Sequence, residues 1–150
     1  VEKAINITGL AAAMAGPKAV SDFLMSTVPM QGLCDSTKAV IIEKTASGRD
    51  YMNRSFQPYS KAYAKRTGKT RVDLRVSGRM LDSITAKALS PQRGEVKVTD
   101  HALIAEFHNQ GGPKSGKPPK RTFMDINPTQ LAKAVKENFD DPIMKLLGRR

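Results

Sequence analysis

The stretch "ITAKALSPQRGEVKVTD", Ile84 to Asp100, decides the fold. Ile84, Ala86 and Ala88 alternate with Thr85 and Lys87, and Val96 and Val98 alternate with Lys97 and Thr99. Each run is therefore apolar on one face when extended. Between them, "SPQRG" supplies Pro and Gly for a turn. A period of two on both sides of a turn reads as a β-hairpin with one buried face.

The material available to cover that face is helical. "AVSDFLMSTVPMQGLCDSTKAVIIEKTASG", Ala19 to Gly48, spaces Phe23, Leu24, Val28, Leu33, Val40 and Ile41 for helix faces, with Gly48 as the stop. Pro29 and Gly32 argue for two helices or a kinked one, with Asp35 or Ser36 capping the second segment. At the other end, Asn127 or Thr129 can cap "TQLAKAVKENF", where Leu131, Val135 and Phe139 form an apolar stripe.

The middle of the chain is read in shorter pieces. "FQPYSKAYAKRTGK" is a turn at Pro58 and a short helix from the Ser60 cap to Gly68. "VDLRVSGRMLDSI" starts as an extended segment burying Val72, Leu74 and Val76. It continues as a Ser77-capped helix with Leu81 and Ile84 on one face. "HALIAEFHNQGG" is a helix in which Leu103 or Ile104 faces Phe107, ending at Gly111. "GGPKSGKPPKR", residues 111–121, has three Gly, three Pro and four basic residues and reads as a flexible basic loop. "TFMDI" can return to the sheet. The sum is an α+β domain over residues 1–150: a small antiparallel sheet packed with N-terminal (1–50) and C-terminal (127–147) helices.

Composition narrows the function classes. Only 5% of the 150 residues are aromatic and none is Trp, which leans against a rigid small-molecule pocket. The single cysteine, Cys34, cannot form an internal disulfide. Apolar runs such as "AVII" at Ala39–Ile42 are too short to span a bilayer, and "INITGLAAAMAG" lacks the basic flank of a signal segment. A soluble, cytosolic chain is expected.

The net charge of +11 is unevenly spread. Residues 1–50 are neutral, 51–100 carry +7 and 101–150 carry +4. The excess begins in "RSFQPYSKAYAKRTGKTR", Arg54 to Arg71, with six Lys or Arg and no acid. Such a field suits a polyanion or an acidic protein surface. Tyr59 and Tyr63 could stack on bases, yet their i, i+4 spacing suits packing equally well. No helix-turn-helix or zinc-finger pattern is present.

Catalytic patterns are weak. Gly111, Gly116 and Lys117 fit G-x-x-x-x-G-K, but Pro118 stands where a P-loop needs Ser or Thr. His101 and His108 are seven residues apart with no ligand partners at metal spacing. They read as packing or surface residues, and Cys34 as a small core residue. No catalytic, metal or cofactor site is expected, and the chain is not expected to be an enzyme.

Four segments, in order, resemble one family. They are "FQPYSKAYAKR" at Phe56–Arg66, "LRVSGRMLDSI" at Leu74–Ile84, "ALIAEFHNQGG" at Ala102–Gly112 and "RTF" at Arg121–Phe123. Together they resemble the virion morphogenesis proteins of long-tailed phages, also called tail-completion or neck proteins, over residues 54–126. Residues 1–50 share only helical character with that family. The resemblance implies a structural virion protein at the head–tail junction, assembled in the host cytoplasm into a ring, expected to be a hexamer. Its implied partners are neighbouring neck, connector and tail proteins, with DNA as a non-specific client of a basic lumen. The subtype stays open between tail completion, tail terminator and head–tail adaptor. Expected docking or lumen residues are Arg54, Lys61, Lys65, Arg66, Lys69, Arg71, Lys114, Lys117, Lys120 and Arg121. Expected structural positions are Phe56, Pro58, Tyr59, Gly78, Leu81, Ile84, His108, Gly111 and Phe123. The alternative is a stand-alone, non-specific nucleic-acid-binding protein.

Overall fold

A computed structural model describes residues 1–6, 18–113 and 118–148. The hairpin forms as read: β2 (Ile84–Ser90) pairs antiparallel with β3 (Arg93–Val98), with Ile84 opposite Val98 and Ala86 opposite Val96. The turn is tighter than "SPQRG". Gly94 lies inside β3, opposite Ala88, beside a register irregularity between Ala88 and Ser90.

The third strand is β1 (Glu2–Asn6), which pairs antiparallel with β3 to give the order β1-β3-β2. Two expectations are corrected here. Residues 1–50 are not helical throughout, and "TFMDI" does not join the sheet. β1 is an edge strand held by its ladder, so it has no alternating apolar face to advertise it. Thr122–Ile126 runs irregularly because the Asn109 side chain takes its backbone. Asn109 Oδ1 accepts from the N–H groups of both Phe123 and Met124 at 3.0 Å. Phe123, Met124 and Ile126 are buried all the same.

The next elements among the described residues are two helices, α1 (Lys18–Met25) and α2 (Val28–Ala46). The break is at Ser26–Thr27, not at Asp35 or Ser36, which lie inside α2. Pro29 falls in the first turn, where its missing N–H costs nothing. Gly32 does not break the helix either; a Cβ there would overlap Asn138 Oδ1, so glycine allows the C-terminal helix its close approach. Past Ala46 the chain turns at Gly48, φ +72°, as read.

α2 covers one face of the hairpin. Met30, Leu33, Cys34 and Ile41 are buried together with Ile84, Val96 and Val98. Gln31 closes the outer edge of β2: its Nε2 donates to Ala86 O at 3.2 Å, and its Oε1 accepts from Ala88 N at 2.9 Å. The opposite sheet face, at Thr85, Lys87 and Leu89, is exposed.

In the chain between α2 and β2 come two short helices, α3 (Lys61–Thr67) and α4 (Arg79–Asp82). Ser60 Oγ caps α3 by accepting from Tyr63 N, and Gly68 ends it at φ +68°. The expected extended segment does not form. Asp73 Oδ1 accepts from Arg75 N in a local turn, and Leu74 sits at φ +52°. Val72 and Leu74 are buried, whereas Val76 is 65% exposed. α4 is a single turn capped at Gly78, φ +86°, not at Ser77. Leu81 and Ile84 are both buried, but from α4 and β2 rather than one helix face.

After β3 comes α5 (Ala102–Gln110), ending at Gly111. Its buried residue is Ala105, while Leu103 and Ile104 point outward. α6 (Pro128–Val135) is capped by Asn127 Oδ1, which accepts from Gln130 N at 2.9 Å. It continues through a π turn (Lys136–Asp140) into α7 (Asp141–Leu146). Pro142 has no N–H for the α-helical ladder, and the Asp141 N–H reaches back to Lys136 O. The wider turn lets Asn138 bond Ser36 Oγ at 3.0 Å while Phe139 enters the core. The layers are thus sheet, α2 and C-terminal helix: an α+β fold. No helix among the described residues is long and apolar enough to cross a membrane.

Candidate partner-docking site

The basic stretch is folded onto the domain, and many of its charges are already engaged. Arg54 grips the buried Asp50, through its backbone N–H to Oδ1 and Nε to Oδ2, both at 2.8 Å. Lys69 Nζ lies 2.9 Å from Asp73 Oδ2 and also donates to Arg75 O. Burial alone would raise the Asp73 pKa, but the Arg75 N–H and Lys69 hold it below the ordinary carboxylate value. Arg71 donates to Ala46 O at the C-terminal end of α2, where the helix dipole favours a cation. Lys61, Lys65 and Arg66 have no carboxylate partner among the described residues, and all three are exposed on α3. Lys120 is likewise exposed. Lys114 and Lys117, and with them Ser115 and the near-miss Gly116 in the middle of the expected loop, lie outside the described residues.

Arg121 is the departure. Read from sequence as a docking cation, it is 3% exposed. Its Nε and Nη2 each donate to Gln57 O at 3.0 Å, and Nη2 also reaches Pro58 O at 3.4 Å. The guanidinium lies 5.1 Å from the Tyr59 ring centroid. Burial pulls its pKa below the usual arginine value, but arginine stays charged. Nη1 is 3.3 Å from His108 Nδ1. Arginine has only donors, so Nδ1 must accept and the His108 proton resides on Nε2. Burial, followed by the charge of Arg121, lowers the His108 pKa to about 4, so the ring is neutral at pH 7.

Arg121 thereby gathers three of the four segments that carry the resemblance. Gln57 and Pro58 come from the first, His108 and Asn109 from the third, and Arg121 to Phe123 from the last. His108 O also accepts from Arg121 N at 2.6 Å. Gly112 N donates to Pro118 O at 2.9 Å, closing the stem of the 111–121 loop. The second segment supplies the adjoining wall, through Leu74, Gly78 and Met80. Sequence reasoning named His108, Gly111 and Phe123 here but missed Asn109. Its signal was present: a side-chain amide between a helix end and a glycine is placed to bond a returning chain.

These segments enclose an open groove of about 870 Å³. Tyr59 and Tyr63 line it with ring centroids 4.7 Å apart, so the two rings pack on each other. Leu74, Val76, Met80 and Ile104 supply apolar walls, and Arg121 and His108 polar ground. His101, at φ +60° before α5, also borders it, with Nδ1 2.7 Å from Asp100 Oδ1. His101 and then Arg79 hold the Asp100 carboxyl below its ordinary pKa. Cys34 is elsewhere, buried under the sheet, and burial raises its thiol pKa. Among the described residues no group of three His, Cys, Asp or Glu is arranged to hold a metal ion. Comparison with family models, curated proteins and solved structures finds no match to this chain.

Proposed function

We propose that this chain is a structural protein of a long-tailed phage virion, acting at the head–tail junction. There it would join the DNA-filled head to the tail as a subunit of a ring. The observation that carries this reading is the convergence of the four resembling segments. Separated by up to some sixty residues, they meet around Arg121 and the adjoining groove. A set of motifs that share one structural job is better support for a family than the same motifs scattered. Tail completion, tail terminator and head–tail adaptor are equally compatible with it. In a ring, the exposed Lys61, Lys65 and Arg66 of α3 would give the lumen or the neighbouring subunit positive charge without sequence reading.

Those same three cations favour the second reading, a stand-alone nucleic-acid-binding protein. The two part company in solution. Analytical ultracentrifugation and negative-stain microscopy of the purified chain should give rings, alone or with a tail or connector protein, and DNA affinity should be weak. A monomer or dimer that binds DNA tightly at low salt, and loses it steeply as salt rises, would favour the second reading instead.

A further inference from the structure

Arg121 is a buried cation without a carboxylate partner among the described residues. All 14 Asp and Glu of the chain are among the described residues, and none comes within 4.0 Å of its guanidinium. Buried charges are ordinarily paired, because carbonyl oxygens and a ring face offset only part of the lost hydration. The Gln57, Pro58 and His108 contacts use four of its N–H groups and leave one Nη1 hydrogen without an acceptor among the described residues. Arg121 lines the groove, and the apolar walls run out to the surface, where Val76 is 65% and Ile104 46% exposed.

We propose that this groove docks a segment of a partner protein in which one Asp or Glu carboxylate lies between apolar side chains. The carboxylate is the missing counter-ion of Arg121, and the apolar neighbours cover Leu74, Val76, Met80 and Ile104. The Nε2–H of His108 offers a second donor to the same group. Charge complementarity selects this occupant over two others. A nucleic acid would set hydrated phosphates against apolar walls. A second copy would have to bring one of its own carboxylates, and a chain with 25 basic and 14 acidic residues offers fewer of them than of like charges. The groove would take such a segment whether or not the chain works in a virion, so peptide binding and head–tail joining fail independently.

The test is selection of displayed random heptapeptides on the immobilised full chain, followed by binding measurements on the synthesised winners. Winners should carry one Asp or Glu flanked by apolar residues, and exchanging that acid for its amide should weaken binding at least tenfold. Ile104→Glu sits on the exposed rim, so the fold tolerates it, and it should also weaken binding at least tenfold. Arg121→Lys should weaken binding too, and far-UV circular dichroism checks that this variant folds. Winners without an acid, no winners, amide peptides that bind equally well, or indifference to Ile104→Glu would each overturn the proposal. So would a groove filled in solution by a second copy, or one that takes decanoate but no peptide.

Discussion

A Cβ on Gly94 would overlap the Sγ of Cys34 and crowd the Sδ of Met30, so these α2 side chains pack directly on the β3 backbone. Gly94→Ala should cost about 1–3 kcal/mol, the usual cost of overpacking. Adding Cys34→Ala should recover part of it, because the two residues share one space. Urea unfolding of the two single variants and the double variant reads that coupling directly. His108 gives a second prediction at this scale. Its pKa is about 4 folded, against 6.5 for the free side chain. Folding therefore favours the neutral ring, and its contribution is full above pH 6.5 and lost as pH falls towards 4. Allowing for solvent around a half-buried ring, the loss is about 1–2 kcal/mol. Urea midpoints measured from pH 7 to pH 4 should show it, and His108→Gln should flatten that part of the curve.

Among the elements, what was readable in the sequence was local. The hairpin, the Ser60 and Asn127 caps and the stops at Gly48, Gly68 and Gly111 each depend on a few neighbouring residues, and each formed as expected. Part of what was unreadable depended on partners far along the chain. β1 is a strand because β3 offers it an edge some ninety residues away. Thr122–Ile126 is irregular because Asn109 takes its N–H groups. The Val72–Val76 alternation fails for a local reason instead, the turn in which Asp73 Oδ1 accepts from Arg75 N. The basic stretch is also decided locally: Asp50 and Asp73 lie just outside it, each four residues from the cation it holds. One element prediction follows from Gln31, which bonds the outer edge of β2. Gln31→Ala should cost about 1–2 kcal/mol, the usual range for removing such partners. It should also speed hydrogen exchange at the Ala88 amide, and unchanged exchange there would show that the edge is covered some other way.

Across the whole molecule, the cations divide into those that hold the fold and those that face outward. Replacing Lys61, Lys65 and Arg66 with Ala should leave the melting temperature within about 2 °C of the parent, as for exposed surface changes. The same triple change should impair ring formation or head–tail joining. Replacing Lys69 and Arg71 should do the reverse, lowering the melting temperature because each anchors a loop or helix end. Thermal unfolding beside a joining assay distinguishes the two classes. The most direct measurement of the central claim is electron microscopy of a phage lysate made without this gene product. The account predicts DNA-filled heads lying beside separate, finished tails. Normal, infectious particles would contradict it.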